Sequence, residues 1–157
     1  MRLRLVTVAA CALASATALA SGMARRTALT SSATLANELA RFGEDLQENP
    51  YATGPYFQGF IATTNEAVGS MNELGQDFSD QASDVDLRDE YVSLEDHGVL
   101  SRWESAYQQG APTFQREADN ARNPSDVRAK WRELLIQGQK VRDVRRDLRT
   151  TLTNWHS

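Results

Sequence analysis

"VRAKWRELLIQGQKVRDVRRDLRTTLTNW", residues 127–155, decides the fold. Val127, Trp131, Leu134, Gly138, Val141, Leu148, Leu152 and Trp155 recur at spacings of four and three, which puts them on one seam of a helix. Arg145 is the polar intruder in that seam, and Val144 beside it can take over the position. "NPSD" ahead of the seam supplies a start signal: Asn123 as N-cap, Pro124 at the first position, and Asp126 near the positive end of the dipole. The spacing predicts a helix over about 124–155. At a rise of 1.5 Å per residue, such a helix is a rod of roughly 45 Å. A rod with one apolar seam that long needs other helices along its whole length.

Those partners lie upstream. Leu35, Leu39, Phe42 and Leu46 form a stripe over about 32–47, which "NPYATGP" ends because Pro50 and Gly54-Pro55 cannot continue a helix. Pro55 opens a second helix to about Phe78, with Phe57, Phe60, Ile61, Val68, Met71, Leu74 and Phe78 inward. Gly59, Gly69 and Gly75 interrupt it, and the reading is that they let a neighbouring helix come close. Leu87, Tyr91 and Leu94 predict a short helix closed by Gly98 in the C′ position. Leu100, Trp103 and Tyr107 predict another that ends near "QGAP", followed by a turn or short helix around Phe114, Ala118 and Ala121. No strand-like alternation persists. The expected fold is all-α, an antiparallel bundle of four to five helices with a long C-terminal helix, preceded by an N-terminal hydrophobic helix.

The N-terminal stretch bears on the compartment. Leu5 to Ala24 is uncharged and contains eight alanines, with arginines on both sides. Arg2 and Arg4 form a charged start, Leu5 to Ala16 an apolar middle, and Ala18-Leu19-Ala20 a small-x-small site with cleavage expected before Ser21. The expected organisation is a signal peptide at 1–20, a flexible linker at 21–31 and a single helical domain over 32–157. The alternative is an uncleaved membrane anchor at about 5–24, with the bundle outside the cytoplasm. Cys11 is the sole cysteine, so a chain cut at Ala20 has no thiol chemistry, cysteine–zinc site or disulfide. The expected location is periplasmic or secreted.

Candidate chemistry is sparse. There are two histidines, His97 before a glycine and His156 at the penultimate position, and no G-x-S-x-G elbow. No Glu-x-x-His pair exists for a di-iron bundle site. Met71 with His97 is the single plausible haem pair, and Met71 lies on a packing seam. "DVDLRDEYVSLE" places Asp84 and Asp86 as a calcium loop would. Arg88 and Asp89, however, occupy positions where a ligand and the turn glycine are needed. No catalytic, cofactor or metal residue is assigned, and an enzyme is not expected.

Charge suggests a surface function instead. Residues 77–96 hold eight carboxylates and one arginine, while residues 128–149 hold eight basic residues against Glu133, Asp143 and Asp147. These segments are expected to pair with each other, which selects neighbours more than it stabilises them. With a net charge of −4, an expected location outside the cytoplasm and Trp131 on the core stripe, the chain is not expected to bind nucleic acid. The candidate interaction residues are Tyr51 and Tyr56, in the stiff aromatic "PYATGPYF" loop, and Arg142, Arg145, Arg146 and Arg149. The expected function is an exported, non-enzymatic bundle that binds another protein in the cell envelope. The alternatives are an accessory subunit of a membrane complex and a haem, metal or lipid carrier.

Overall fold

The computed structural model describes the backbone of residues 2–79 and 84–155, and the side chains of residues 25–77 and 86–154. The side-chain readings for Leu5–Ala24, Phe78, Trp155 and His156 lie outside the described residues. Among the described residues the chain is all-helical. The elements are α1 (Arg2–Glu48), α2 (Pro55–Ser79), α3 (Asp84–Asp96), α4 (Val99–Asp119) and α5 (Ser125–Trp155).

The apolar stripes close on one core. Leu35, Leu39, Phe42 and Leu46 from α1 meet Phe60, Met71 and Leu74 from α2, Leu100 and Trp103 from α4, and Leu134, Val141 and Leu148 from α5. The long helices that pack side by side run in opposite directions. Phe42 meets Phe60 with ring centroids 5.2 Å apart across α1 and α2, and between α2 and α4 Tyr56 meets Ala106 while Glu66 meets Arg102. Along α4 and α5, Tyr107 meets Gly138 and Glu104 meets Arg145, so one number rises as the other falls. α3 is the short piece, held by Leu87 and Tyr91, both fully buried. Gln137, also buried, donates from Nε2 to the Glu38 carbonyl at 3.0 Å and to the Glu38 carboxylate, tying α5 to α1.

An aromatic cluster fills the centre. Trp103 and Tyr107 stack 5.3 Å apart and 6° from parallel, and the Phe42 edge meets Trp103 at 5.2 Å. Phe114 stacks on Trp131 at 5.8 Å, and Phe57 lies beside both. Offset and edge-on ring pairs add about 0.5–1.5 kcal/mol each beyond their area burial.

Residues 21–31, where a linker is expected, are helical backbone within α1, and Ala28 is buried. Just beyond them, Ser32 Oγ donates to the Leu29 carbonyl and Thr34 Oγ1 to the Thr30 carbonyl, both at 2.9 Å. Four local readings are corrected. The helix expected to end near "QGAP" continues to Asp119 through Pro112. Pro112 faces solvent, where its clash with the preceding turn meets no packed neighbour, and Phe114 and Ala118 beyond it hold the helix in the core.

Gly98 does not close α3 with a left-handed residue. It is the N-cap of α4 with φ of −109°, and glycine fits there because a Cβ would stand 2.9 Å from Leu94 Cα. α5 starts at Ser125, one residue after the expected Pro124, which sets Asn123 outside the N-cap position, and Asn123 Nδ2 donates back to the Glu117 carbonyl and carboxylate of α4 at 3.2 Å. Finally, a Cβ on Gly59, Gly69 or Gly75 would meet nothing within 4 Å, so no helix approaches closely there. The close approaches are at Gly110 and Gly138.

The α1–α2 connection is built as its composition suggests. The Tyr51 amide donates to Asn49 Oδ1 at 3.0 Å, and Ala52 N–H donates to the Asn49 carbonyl at 3.1 Å. Gly54 has φ of +106°, a conformation that side chains resist, and its carbonyl accepts the first bond of α2 from Gln58.

Candidate functional site

The four arginines singled out from sequence converge. Arg142, Arg145, Arg146 and Arg149 line a cleft of about 360 Å³ together with Glu95, Glu104 and Thr150. They share this face because 142, 145/146 and 149 are successive turns of α5. Arg145 occupies the seam position itself, and Val144 is only partly buried beside it. The Arg145 side chain is 11 % exposed, and its Nη1 donates to Glu104 Oε2 at 2.9 Å. Glu104 Oε1 also accepts from Arg142 Nε at 3.1 Å, so one carboxylate bridges two guanidinium groups. Arg142 lies over the Tyr107 ring, 5.7 Å from its centroid.

At the other end of the cleft, Arg149 Nη1 pairs with Asp96 at 3.0 Å and Glu95 at 3.6 Å. Tyr91 donates its hydroxyl to the Arg145 carbonyl at 3.0 Å. Burial, with the neighbouring Glu95 carboxylate, pushes the Tyr91 phenol well above its ordinary range, so it stays a donor at any physiological pH. Arg146 is the outward member, 70 % exposed, with Asp143 at 3.5 Å and Asp147 at 3.7 Å on its own helix. The pairing expected between the basic helix and residues 77–96 therefore occurs at Arg149 with Glu95 and Asp96. Arg142 and Arg145 instead pair with Glu104, which lies outside that segment.

The tyrosines separate. Tyr51 is 51 % exposed at the α1–α2 connection. Tyr56 donates its hydroxyl to the Ala106 carbonyl and packs edge-on to Phe57, so it staples α2 to α4. Tyr56, Phe57, Gln109 and Thr113 line a second, smaller cavity of about 240 Å³ on that flank. Tyr56 thus belongs to the α2–α4 flank and the arginines to the α4–α5 flank, two separate surfaces.

Sequence reasoning missed two groups, one in the cleft and one outside it. Glu104 carries the cleft's central carboxylate but sits outside the acidic segment, and no spacing rule joins it to Arg142 and Arg145 across two helices. Glu90 is the other. Burial, a hydrogen bond to Asp77, and the charges of Asp77 and Glu73 raise its carboxyl to about 7.

Met71 is sealed in the core while His97 faces solvent at the α3–α4 turn. Among the described residues, no group of three or more histidine, cysteine or acidic side chains is placed to hold a metal. No helix among them is long and apolar enough to cross a membrane. The chain matches no family model, and no curated protein or solved structure is detectably similar to it.

Proposed function

We propose that this chain is exported and works as a non-enzymatic antiparallel helical bundle that binds another protein in the cell envelope. In this reading α5 is a long C-terminal member of the bundle, and an N-terminal apolar helix precedes the bundle. The observation that carries the proposal is the outward position of Arg142 and Arg146, 41 % and 70 % exposed, at the mouth of a cleft whose floor is committed to helix–helix ion pairs. Arginine and tyrosine are the residues that anchor protein interfaces, and Tyr51 offers a second rigid contact. Export is supported by the arginine-flanked, alanine-rich run that contains Ala18-Leu19-Ala20.

The test combines intact mass, cell fractionation and a photo-crosslinking residue placed at Arg146 or Tyr51 in producing cells. The expected result is a chain beginning at Ser21 outside the cytoplasm, with a discrete protein adduct from one of these positions. A full-length cytoplasmic chain without an adduct overturns the proposal. An intact Met1 in the membrane fraction moves it to the second reading, an accessory subunit of a membrane complex held by Leu5–Ala24. A Soret band or bound metal in the purified protein would favour the carrier reading instead.

A further inference from the structure

Resting on the reading of the α5 face as the binding surface, but not on the partner being a protein, we propose that the arginine cleft is a site for a compact oxoanion of the phosphate type. Its volume of about 360 Å³ lies at the low end of the range of about 300–1,000 Å³ for small-molecule sites. Glu104 shows how an oxoanion sits there: its two oxygens span Arg142 Nε at 3.1 Å and Arg145 Nη1 at 2.9 Å. Planar guanidinium groups recognise carboxylate and phosphate with the same fork geometry.

The groups left to meet a ligand are the outer ones. Arg146 is opposed by Asp143 and Asp147 at 3.5 and 3.7 Å, contacts between exposed groups that water and salt weaken. Arg142 gives Nε to Glu104 while its side chain remains 41 % exposed. Arg149 is held from the other side by Asp96 and Glu95 and serves to fix the cleft wall.

Size discriminates among anions. Around the cleft the arginines are interleaved with carboxylates, and the whole chain carries −4. An extended polyanion would lie across those carboxylates as well as the arginines. A compact group meets fewer of them: Arg142 and Arg146 stand about one turn apart on α5, and a dianion there draws on both.

The experiment measures the melting temperature and calorimetric binding in inorganic phosphate against chloride at matched ionic strength. The variants are the double substitution R142Q/R146Q, Glu104→Gln, and the exposed α5 control Arg132→Gln. Phosphate is expected to raise the melting temperature beyond chloride in the wild type and in Arg132→Gln. R142Q/R146Q should lose that increment and weaken phosphate binding about tenfold or more, since each lost group made charge-assisted bonds. Glu104→Gln should show a larger phosphate increment, because the resident carboxylate no longer competes for Arg142 and Arg145.

Glucose 6-phosphate and phosphatidic acid in phosphatidylcholine vesicles then distinguish a soluble ligand from a lipid headgroup. Binding to either upholds the site, and for the soluble ester it should strengthen as pH rises through about 6, where the second proton leaves. Equal effects of phosphate and chloride in the wild type, or an increment that survives R142Q/R146Q, overturn the proposal. If Arg146 crosslinks to a partner while phosphate has no specific effect, the docking function stands and this inference falls.

Discussion

The ring of Tyr107 on α4 lies directly against Gly138 on α5, where a Cβ would stand 2.6 Å from the ring Cζ and nearer still to its edge. The ring has no room to yield. It stacks on Trp103, sits beneath Arg142 and donates its hydroxyl to the Leu135 carbonyl at 3.3 Å. Gly138→Ala is therefore expected to destabilise the protein by about 2–3 kcal/mol through overpacking, read from the urea midpoint. In a Tyr107→Leu background the cost of the same change should fall below about 1 kcal/mol, because the clashing ring is gone.

The glycines of α2 should respond with the opposite sign. Gly59 and Gly69 lie inside α2 with open space where an alanine methyl would stand, and neither has a positive φ. Alanine there removes unfolded-state freedom and clashes with nothing. Gly59→Ala and Gly69→Ala are each expected to stabilise by about 0.5–1 kcal/mol, measured by thermal unfolding. A loss of stability at either would mean that the glycine meets a demand of the fold beyond open space.

That contrast marks what the sequence could reveal. The stripe Leu35, Leu39, Phe42, Leu46 and the apolar seam from Val127 to Leu152 were legible because burial on a helix has a fixed period, and their leucine, valine, phenylalanine and tryptophan side chains are buried. Gly138 falls on the α5 seam by its spacing, whereas Gly59 was read as a close approach and meets open space; that a ring from another helix arrives at Gly138 is not written in either spacing. The same holds for Pro112, tolerated because its face of α4 is wet, and for Asn123, whose Nδ2 turns back to Glu117 of α4. At the candidate site, the four arginines were legible as a charged face of α5, but Glu104 was not. Its role depends on how α4 and α5 are aligned, which no local pattern encodes.

Ion pairs here should rank by burial, not by length. Arg102 and Glu66 approach to 2.6 Å, yet their side chains are 55 % and 58 % exposed. Glu104 sits 2.9 Å from Arg145, with side chains 21 % and 11 % exposed, and serves Arg142 too. Glu66→Ala is expected to cost less than about 0.5 kcal/mol, as exposed pairs do. Glu104→Ala leaves the nearly buried Arg145 without its carboxylate and should cost about 2 kcal/mol or more. Chemical denaturation of the two variants checks the order, and a larger loss for Glu66→Ala would reverse it.

The α2–α3 contact should make stability depend on pH through Glu90. Partial burial is the largest influence on that carboxyl, followed by the hydrogen bond to Asp77 and the charges of Asp77 and Glu73, and together they raise it from 4.5 to about 7. The folded protein then holds a proton on Glu90 over a range where the unfolded chain has released it. Stability from this group is fully present below its ordinary value and is lost as pH rises through about 7. Solvent screening at this partly exposed position limits the effect to roughly 1 kcal/mol. Glu90→Gln keeps a donor for Asp77 and cannot ionise. Its urea midpoint should match that of the wild type near pH 4.5 and exceed it at about pH 8. Identical pH profiles for the two proteins would mean that Asp77 and Glu90 do not share a proton across the contact, and that α3 is held by Leu87, Tyr91 and the Arg149 pairs alone.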